Sequence, residues 1–208
     1  MKYLLATTNK AKIKRYGGKL IENNIDFVTL NDLGIELDVD ENGNNPTENA
    51  IIKAKAYHEA TQMPTIAIDE ALFLNNVPDE IQPGTHVRRV NGKRLNDKEM
   101  VEHYISLVNK YGTDGELQGY FKKAVAIINE NDIFTFEYKT NRKFSNKQSS
   151  VINEGYPLSS IQIVEQFGKF KSELTKEEDE QILQTEQNEI CNFIIRTVNE
   201  IEKNDFER

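Results

Sequence analysis

The 208-residue chain has no tryptophan, and it is poor in cysteine (1), histidine (3), methionine (3) and proline (5). Each shortage excludes something. A lone thiol, Cys191, allows no intrachain disulfide. It stands among Ile190, Phe193 and Ile194, the setting of a buried core thiol rather than a reactive one. His58, His86 and His103 are scattered with no metal-ligand spacing, which argues against a histidine-based metal centre. No apolar run approaches the roughly 20 residues of a membrane span, and the first residues lack a secretory pattern. The expectation is a soluble cytoplasmic protein with no membrane partner. A surplus of positive charge is also missing: 26 Lys and Arg stand against 34 Asp and Glu, for a net charge of -8. That argues against a broad nucleic-acid-binding face and leaves room for a local basic pocket. The GxxxxGK[ST] phosphate loop and the GxGxxG fingerprint are both absent.

What is present suits a globular protein. Hydrophobic residues make up 38% and charged residues 29%, and no repeat, low-complexity segment or flexible linker interrupts the chain. The length fits one large domain or two intimate lobes around a sizeable core.

Lys2–Ala6 reads as a short buried strand, and Lys10–Asn23 as a helix with Ile13, Leu20 and Ile21 on its apolar side. Ile25–Leu30 reads as a second strand, followed by a polar connector from Asn31 to Asn45. Pro46 then opens a helix to about Thr61, with Thr47 as a candidate cap and Ala50, Ile51, Ala54 and Tyr57 at core spacing. Thr65–Ile68 reads as a third strand ending at Asp69. Alternating strands and helices predict an α/β protein with parallel pairing. After a helix near Asn96–Tyr111 the pattern becomes β-rich. Glu116–Ile128 and Asp132–Lys139 read as a hairpin turned at Glu130-Asn131, with further strands near Lys143–Val151 and Ser160–Val164. Thr175–Lys203 reads as a closing helix with Ile190, Phe193, Ile194, Val198 and Ile201 as its buried stripe.

Four clusters could carry chemistry. At the end of the first strand, Thr7, Thr8 and Asn9 precede a helix that carries Lys12 in its first turn. Hydroxyls, helix N-terminal amides and an ammonium suit a polyphosphate, although Thr8 or Asn9 as a simple helix cap explains the same residues. Glu41 in a Glu-Asn-Gly turn, with Glu48 and Lys53 on the next helix, offers a carboxylate for Mg²⁺ beside a phosphate, or a solvated acidic loop. Asp69 and Glu70 follow directly on an apolar strand, where an acid can bind metal, activate water or merely form a turn. Lys169 and Lys171 flank Phe170 ahead of the last helix, as phosphate contacts or as solvated lysines.

In this order the clusters resemble the inosine triphosphate pyrophosphatase family. The family's opening motif matches Ala6-Thr7-Thr8-Asn9-Lys10-Ala11-Lys12 completely. Its Glu-x-Gly turn and Glu-Asn-Ala-x-x-Lys-Ala helix match Glu41-Asn42-Gly43 and Glu48-Asn49-Ala50-Ile51-Ile52-Lys53-Ala54. Its acidic strand end resembles Ala67-Ile68-Asp69-Glu70-Ala71-Leu72. Pro83-Gly84, Arg89, Gly168-Lys169 and Glu173-Leu174-Thr175 resemble later landmarks. The resemblance implies one two-lobed domain over residues 1–208. Its long twisted mixed sheet would carry helices on both sides, with a nucleotide cleft between the lobes. It further implies a homodimer that uses Mg²⁺ to cleave a nucleoside triphosphate into monophosphate and pyrophosphate. Residue by residue, it gives Thr7, Thr8, Asn9, Lys12, Tyr156 and Lys169 to substrate and Glu41 and Asp69 to metal. Asp69, Lys12 and Lys53 become the catalytic candidates, while Lys10, Lys14 and Arg15 fall to a solvated face.

Three departures from the family pattern stand out. Ile68 replaces the first acid of the strand-end pair, and Glu70 restores a carboxylate only if the backbone turns, because neighbouring strand residues face opposite ways. Gly155-Tyr156-Pro157-Leu158-Ser159-Ser160 stands where the family has Gly-Tyr-Asp-Pro, with Ser159 or nothing in place of the aspartate. The family's Ser-His-Arg falls on Leu183-Gln184-Thr185, which lacks the guanidinium fork. Phosphate and metal residues therefore match better than base-reading ones, which predicts an altered base preference or a non-catalytic relative of the same fold.

Overall fold

A computed structural model describes residues 1–130 and 132–206. Strand β1 (Lys2–Leu5), helix α1 (Lys10–Glu22), β2 (Asp26–Thr29) and a short α2 (Leu30–Leu33) lead to α3 (Pro46–Thr61) and β3 (Thr65–Leu74). A small pair, β4 (Arg89–Val90) and β5 (Lys93–Arg94), precedes α4 (Asp97–Tyr111). Then come β6 (Glu116–Asn129), β7 (Asp132–Ser145), β8 (Gln162–Val164), β9 (Lys169–Phe170) and the long α5 (Lys176–Phe206). The main sheet has seven strands in the order β2-β1-β3-β6-β7-β8-β9. β1 pairs in parallel with both β2 and β3, while β8 pairs antiparallel with β7 and β9, so the sheet is mixed. The expected α/β class with parallel first strands is what the chain adopts.

The chain divides into two compact units: Met1–Glu70 with Lys123–Tyr138 and Gln184–Arg208, and Ala71–Lys122 with Lys139–Leu183. In the first unit the strands are buried on both faces. Tyr3, Leu5, Ile66, Ile68, Val125 and Ile127 point to one side, against Tyr16 and Leu20 of α1 and Ile190, Ile194 and Val198 of α5. The alternate residues Leu4, Ala6, Ala67, Ala124, Ala126 and Ile128 point to the other, against Ala50, Ala54 and Tyr57 of α3. The second unit packs Leu72, Leu74, Tyr104, Leu107, Leu117, Phe144 and Ile161 into a separate core.

Several local expectations need correction. Ile21 is 65% exposed, because the buried stripe of α1 runs through Tyr16, Gly17 and Leu20. Asn45, not Thr47, caps α3: its side chain accepts the Glu48 N–H at 3.0 Å, Pro46 follows it, and the Thr47 hydroxyl instead donates to Glu137. β3 does not stop at Asp69 but continues to Leu74. β7 is continuous to Ser145, so the expected break near Lys139 and the strand reaching Val151 are absent from the described residues. Ser160 belongs to a short 3₁₀ turn ahead of β8. At the β6–β7 turn Glu130 adopts a left-handed φ of 50°, and Asn131 lies outside the described residues.

One glycine is set by close approach. A Cβ on Gly119 of β6 would lie 2.5 Å from the Phe73 carbonyl oxygen and 2.9 Å from Leu74. Gly119→Ala is therefore expected to destabilise the protein by about 1–3 kcal/mol. Gly18→Ala, with open space around it on the exposed side of α1, should stabilise by roughly 0.5–1 kcal/mol. Urea unfolding of the two variants checks the opposite signs.

Candidate active site

The opening motif sits where β1 gives way to α1. Asn9 caps the helix, its Oδ1 accepting the N–H groups of Ala11 (2.9 Å) and Lys12 (3.3 Å). Thr7 Oγ1 accepts the Asn9 N–H at 3.1 Å, which fixes the turn, and Thr8 is exposed. The capping role weighed for Asn9 is real, and it leaves Nδ2 as the side-chain donor that Asn9 can offer. From the first turn, Lys12 sends its ammonium to the carbonyl of Ile68 at 3.0 Å, onto neighbouring β3. A lysine from the helix that follows β1 thus meets the middle of β3, one residue before Asp69.

Asp69 points to the α3 side of the sheet, as its alternation with Ile68 and Glu70 requires. There the Lys53 ammonium lies 2.9 Å from Glu41 Oε2 and 3.7 Å from Asp69 Oδ1. Asn49, one helical turn before Lys53, is 1% exposed. Its Oδ1 accepts the Gly43 N–H at 2.8 Å. Asp69 Oδ2 is buried and has no hydrogen-bond partner. Two carboxylates and two ammonium groups therefore converge beside the middle of β3, with one buried oxygen unsatisfied. Burial pushes the Asp69 carboxyl above its ordinary value, against the opposing pull of Lys53 and Lys12. Burial likewise pushes the Lys12 ammonium down, against the opposing pull of Glu70 and Asp69.

Glu70 does not join this group. Because β3 runs on without a turn, Glu70 faces the α1 and α5 side and lies 3.5 Å from Lys123 on β6. Lys123 in turn meets Glu186 of α5 at 2.5 Å, and Arg15 of α1 stands 3.6 Å from Glu186. Lys123 and Glu186 are nearly buried, with side chains 7% and 2% exposed. Arg15 is half-buried and belongs to an ion network around the buried Lys123–Glu186 pair, not to the solvated face. Neither Lys123 nor Glu186 stands out in the sequence; the only signal is a charged residue interrupting an apolar strand or stripe.

Tyr156 and Lys169 belong to the second unit. Tyr156 is 63% exposed. Its loop is held by Arg88, which donates to Asp97 Oδ1 at 2.7 Å and to the Gly155 carbonyl at 2.8 Å, while the Gly155 N–H donates to Asp97 Oδ2 at 2.9 Å. The Lys169 ammonium donates to Glu178 at 2.7 Å. Ser159 is buried and its hydroxyl donates to the Tyr156 carbonyl at 2.7 Å, and Gln184 is exposed.

Among the described residues no three His, Cys, Asp or Glu side chains gather as a metal-binding group, and no helix is long and apolar enough to cross a membrane. Glu41 and Asp69 form only a pair. A pair of carboxylates with an unsatisfied oxygen suits a hard cation that keeps water and substrate oxygens as its other ligands.

A parallel-stranded α/β unit with lysines and carboxylates gathered where α1 and α3 meet β3 has the groups to hold an anion and a cation together. The Ham1 family model matches residues 3–187, and the chain belongs to that family. This bears out the resemblance to the inosine triphosphate pyrophosphatases. The dITP/XTP pyrophosphatase of Leptospira interrogans is 29% identical over 157 residues, covering 76% of this chain and 73% of that protein. That of Bacillus subtilis is 28% identical over 181 residues, covering 86% and 88%. The Ham1 protein of Staphylococcus aureus superposes with a TM-score of 0.69 at 25% identity over 87% of this chain and 90% of its own. A HAM1 protein of Coxiella burnetii shares the fold, with a TM-score of 0.73 at 19% identity over 98% and 99%.

Two outcomes test this geometry. Lys123→Met leaves Glu186 buried without its closest counter-ion and is expected to cost about 3–5 kcal/mol, most of it recovered when Glu186→Leu is added. Asp69 holds its proton more tightly folded than unfolded, so stability falls as pH rises from the ordinary carboxyl value of 3.8 through its raised one. Asp69→Asn should abolish that fall and raise the Tm at neutral pH, and calorimetry from pH 3 to 8 checks it.

Proposed function

We propose that the chain is a Mg²⁺-dependent nucleoside triphosphate pyrophosphatase. The observation that carries this reading is the convergence of Lys12, Lys53, Glu41 and Asp69 beside the middle of β3. The curated dITP/XTP pyrophosphatases among its relatives support the reaction class. The site residues then divide by chemistry. Thr7, Thr8 and Asn9, at the N-terminus of α1, bind phosphate oxygens through amide and hydroxyl donors. Lys12 and Lys53 neutralise the charge on the chain of phosphates, and Lys53 exchanges its carboxylate partners for phosphate oxygens. Glu41 and Asp69 would hold Mg²⁺, which supplies further charge neutralisation when bound. Asp69, with its carboxyl raised toward neutrality by burial, orients a water and takes its proton as the oxygen joins phosphorus. The bond between the α- and β-phosphates breaks, and monophosphate and pyrophosphate leave. Such transfers need positioning and electrostatic support more than covalent catalysis.

Tyr156 and Lys169 are assigned to substrate binding on the family resemblance. The missing Ser-His-Arg and Asp motifs support a base preference different from that of the relatives. The match of the family model to both units supports treating residues 1–208 as one domain. A homodimer rests on the resemblance, and light scattering on the full chain reads the dimer.

The test is a panel of ordinary and deaminated nucleoside triphosphates with Mg²⁺, with pyrophosphate and phosphate detected separately. Release of pyrophosphate from at least one is expected. Nucleotide binding by calorimetry without turnover would favour the second reading, a non-catalytic relative, to which Ile68 and Leu183-Gln184-Thr185 also point.

A further inference from the structure

Residues 151–156 of the second unit form a loop exposed along its length, with Val151, Ile152 and Tyr156 between 44% and 63% exposed. Its last two residues are nonetheless tied at every backbone polar group. The Gly155 N–H donates to Asp97 Oδ2 at 2.9 Å, and the Gly155 carbonyl accepts from Arg88 Nη2 at 2.8 Å. Arg88 Nη1 donates to Asp97 Oδ1 at 2.7 Å, so arginine, carboxylate and glycine each bond the other two. The Tyr156 N–H donates to the Asn153 carbonyl at 3.0 Å, and the Tyr156 carbonyl accepts the N–H and hydroxyl of Ser159 at 3.0 and 2.7 Å. The clamp stands on firm supports. The Leu95 N–H donates to the Arg88 carbonyl at 2.8 Å at the base of the β4–β5 hairpin, and Asp97 opens α4. Gly155 supplies the left-handed φ of 79° that the turn needs.

We propose that Arg88 and Asp97 are positioning residues that hold the Tyr156 ring ready to stack on the base of a nucleoside triphosphate. This rests on the reading of Tyr156 as a substrate residue. Fixing this backbone costs conformational freedom, yet the ring it carries stays 63% exposed and adds little to the core. Stacking on a base offsets that cost, because every base has a flat π-face and a ring already fixed loses little more freedom on binding. The guanidinium suits the task, since one planar fork reaches a carboxylate and a carbonyl together. The Arg88 bond and the Gly155 N–H hold the Asp97 carboxyl below its ordinary value, so the clamp stays charged at neutral pH.

The test compares binding of inosine triphosphate with that of inorganic tripolyphosphate, which has no base, by calorimetry on the full chain without divalent cation. Tyr156→Ala is expected to weaken inosine triphosphate by about ten-fold. Arg88→Met and Asp97→Asn should each weaken it by about three- to ten-fold, while tripolyphosphate stays within about two-fold throughout. Arg88→Met added to Tyr156→Ala should weaken inosine triphosphate no further, since the clamp acts through the ring. The chain has no tryptophan, so Tyr156→Trp makes a single reporter whose fluorescence anisotropy should fall when Arg88→Met is added. Equal weakening of both ligands, or a further loss in the double variant, would mark a merely structural anchor and overturn the proposal. So would an anisotropy, or an affinity for inosine triphosphate, that Arg88→Met leaves unchanged. If Asp97→Asn destabilises α4, Arg88→Met, which leaves that helix intact, decides. A chain that binds neither ligand contradicts the proposed function itself, and the positioning role falls with it; a lost difference between the two ligands overturns the positioning role alone.

Discussion

Helix α3 lies close to the sheet, and the candidate site depends on that approach. The contact is lined by Ala67, Ala124 and Ala126 on the strands and by Ala50 and Ala54 on the helix. Small side chains on both surfaces bring the helix backbone near the middle of β3. Lys53, beside Ala54, then stands 3.7 Å from Asp69. Larger residues in this layer would lift α3 and separate the Lys53 ammonium from both carboxylates. The packing of a neutral alanine layer thus decides the geometry of a charged site.

The two sides of β3 handle charge differently. On the α3 side, Glu41, Lys53 and Asp69 are partly open to solvent and one oxygen is unsatisfied, the arrangement of groups that await a ligand. On the other side, Arg15, Glu186, Lys123 and Glu70 alternate in sign along one chain of contacts. Lys12 lies where the two sides meet, at the Ile68 carbonyl, and feels charges from both. A buried network that satisfies itself is a matter of specificity and folding; an incompletely satisfied one is a place for chemistry.

The fold was legible where local chemistry decides it. The alternation of strands with amphipathic helices marks β1 to β3 and the parallel class. Element ends were less legible. Asp69 reads as a stop because acids favour turns, yet β3 runs through it to Leu74, with the Lys53 ammonium 3.7 Å from its carboxylate. That continuity also decides the fate of Glu70, which alternation turns toward Lys123. Within the site, Lys12, Glu41, Lys53 and Asp69 were visible through motif order and spacing. Asn49 was visible as a motif letter with no role, because an amide announces its bond to the Gly43 N–H only when that partner is in place. Lys123 and Glu186 form their pair across 63 residues of sequence, beyond any local pattern.

The central claim is that Asp69 is the chemical centre of a hydrolytic site whose other residues bind and position. Its most direct measurement is single-turnover hydrolysis by Asp69→Asn of whichever triphosphate the unmodified chain cleaves, with nucleotide binding followed in parallel by calorimetry. The account predicts loss of turnover by at least a thousand-fold, on the order expected when a general base is removed together with a charge that supports the transition state, in a protein that remains folded and still binds nucleotide. Turnover within a few-fold of the unmodified chain would contradict it.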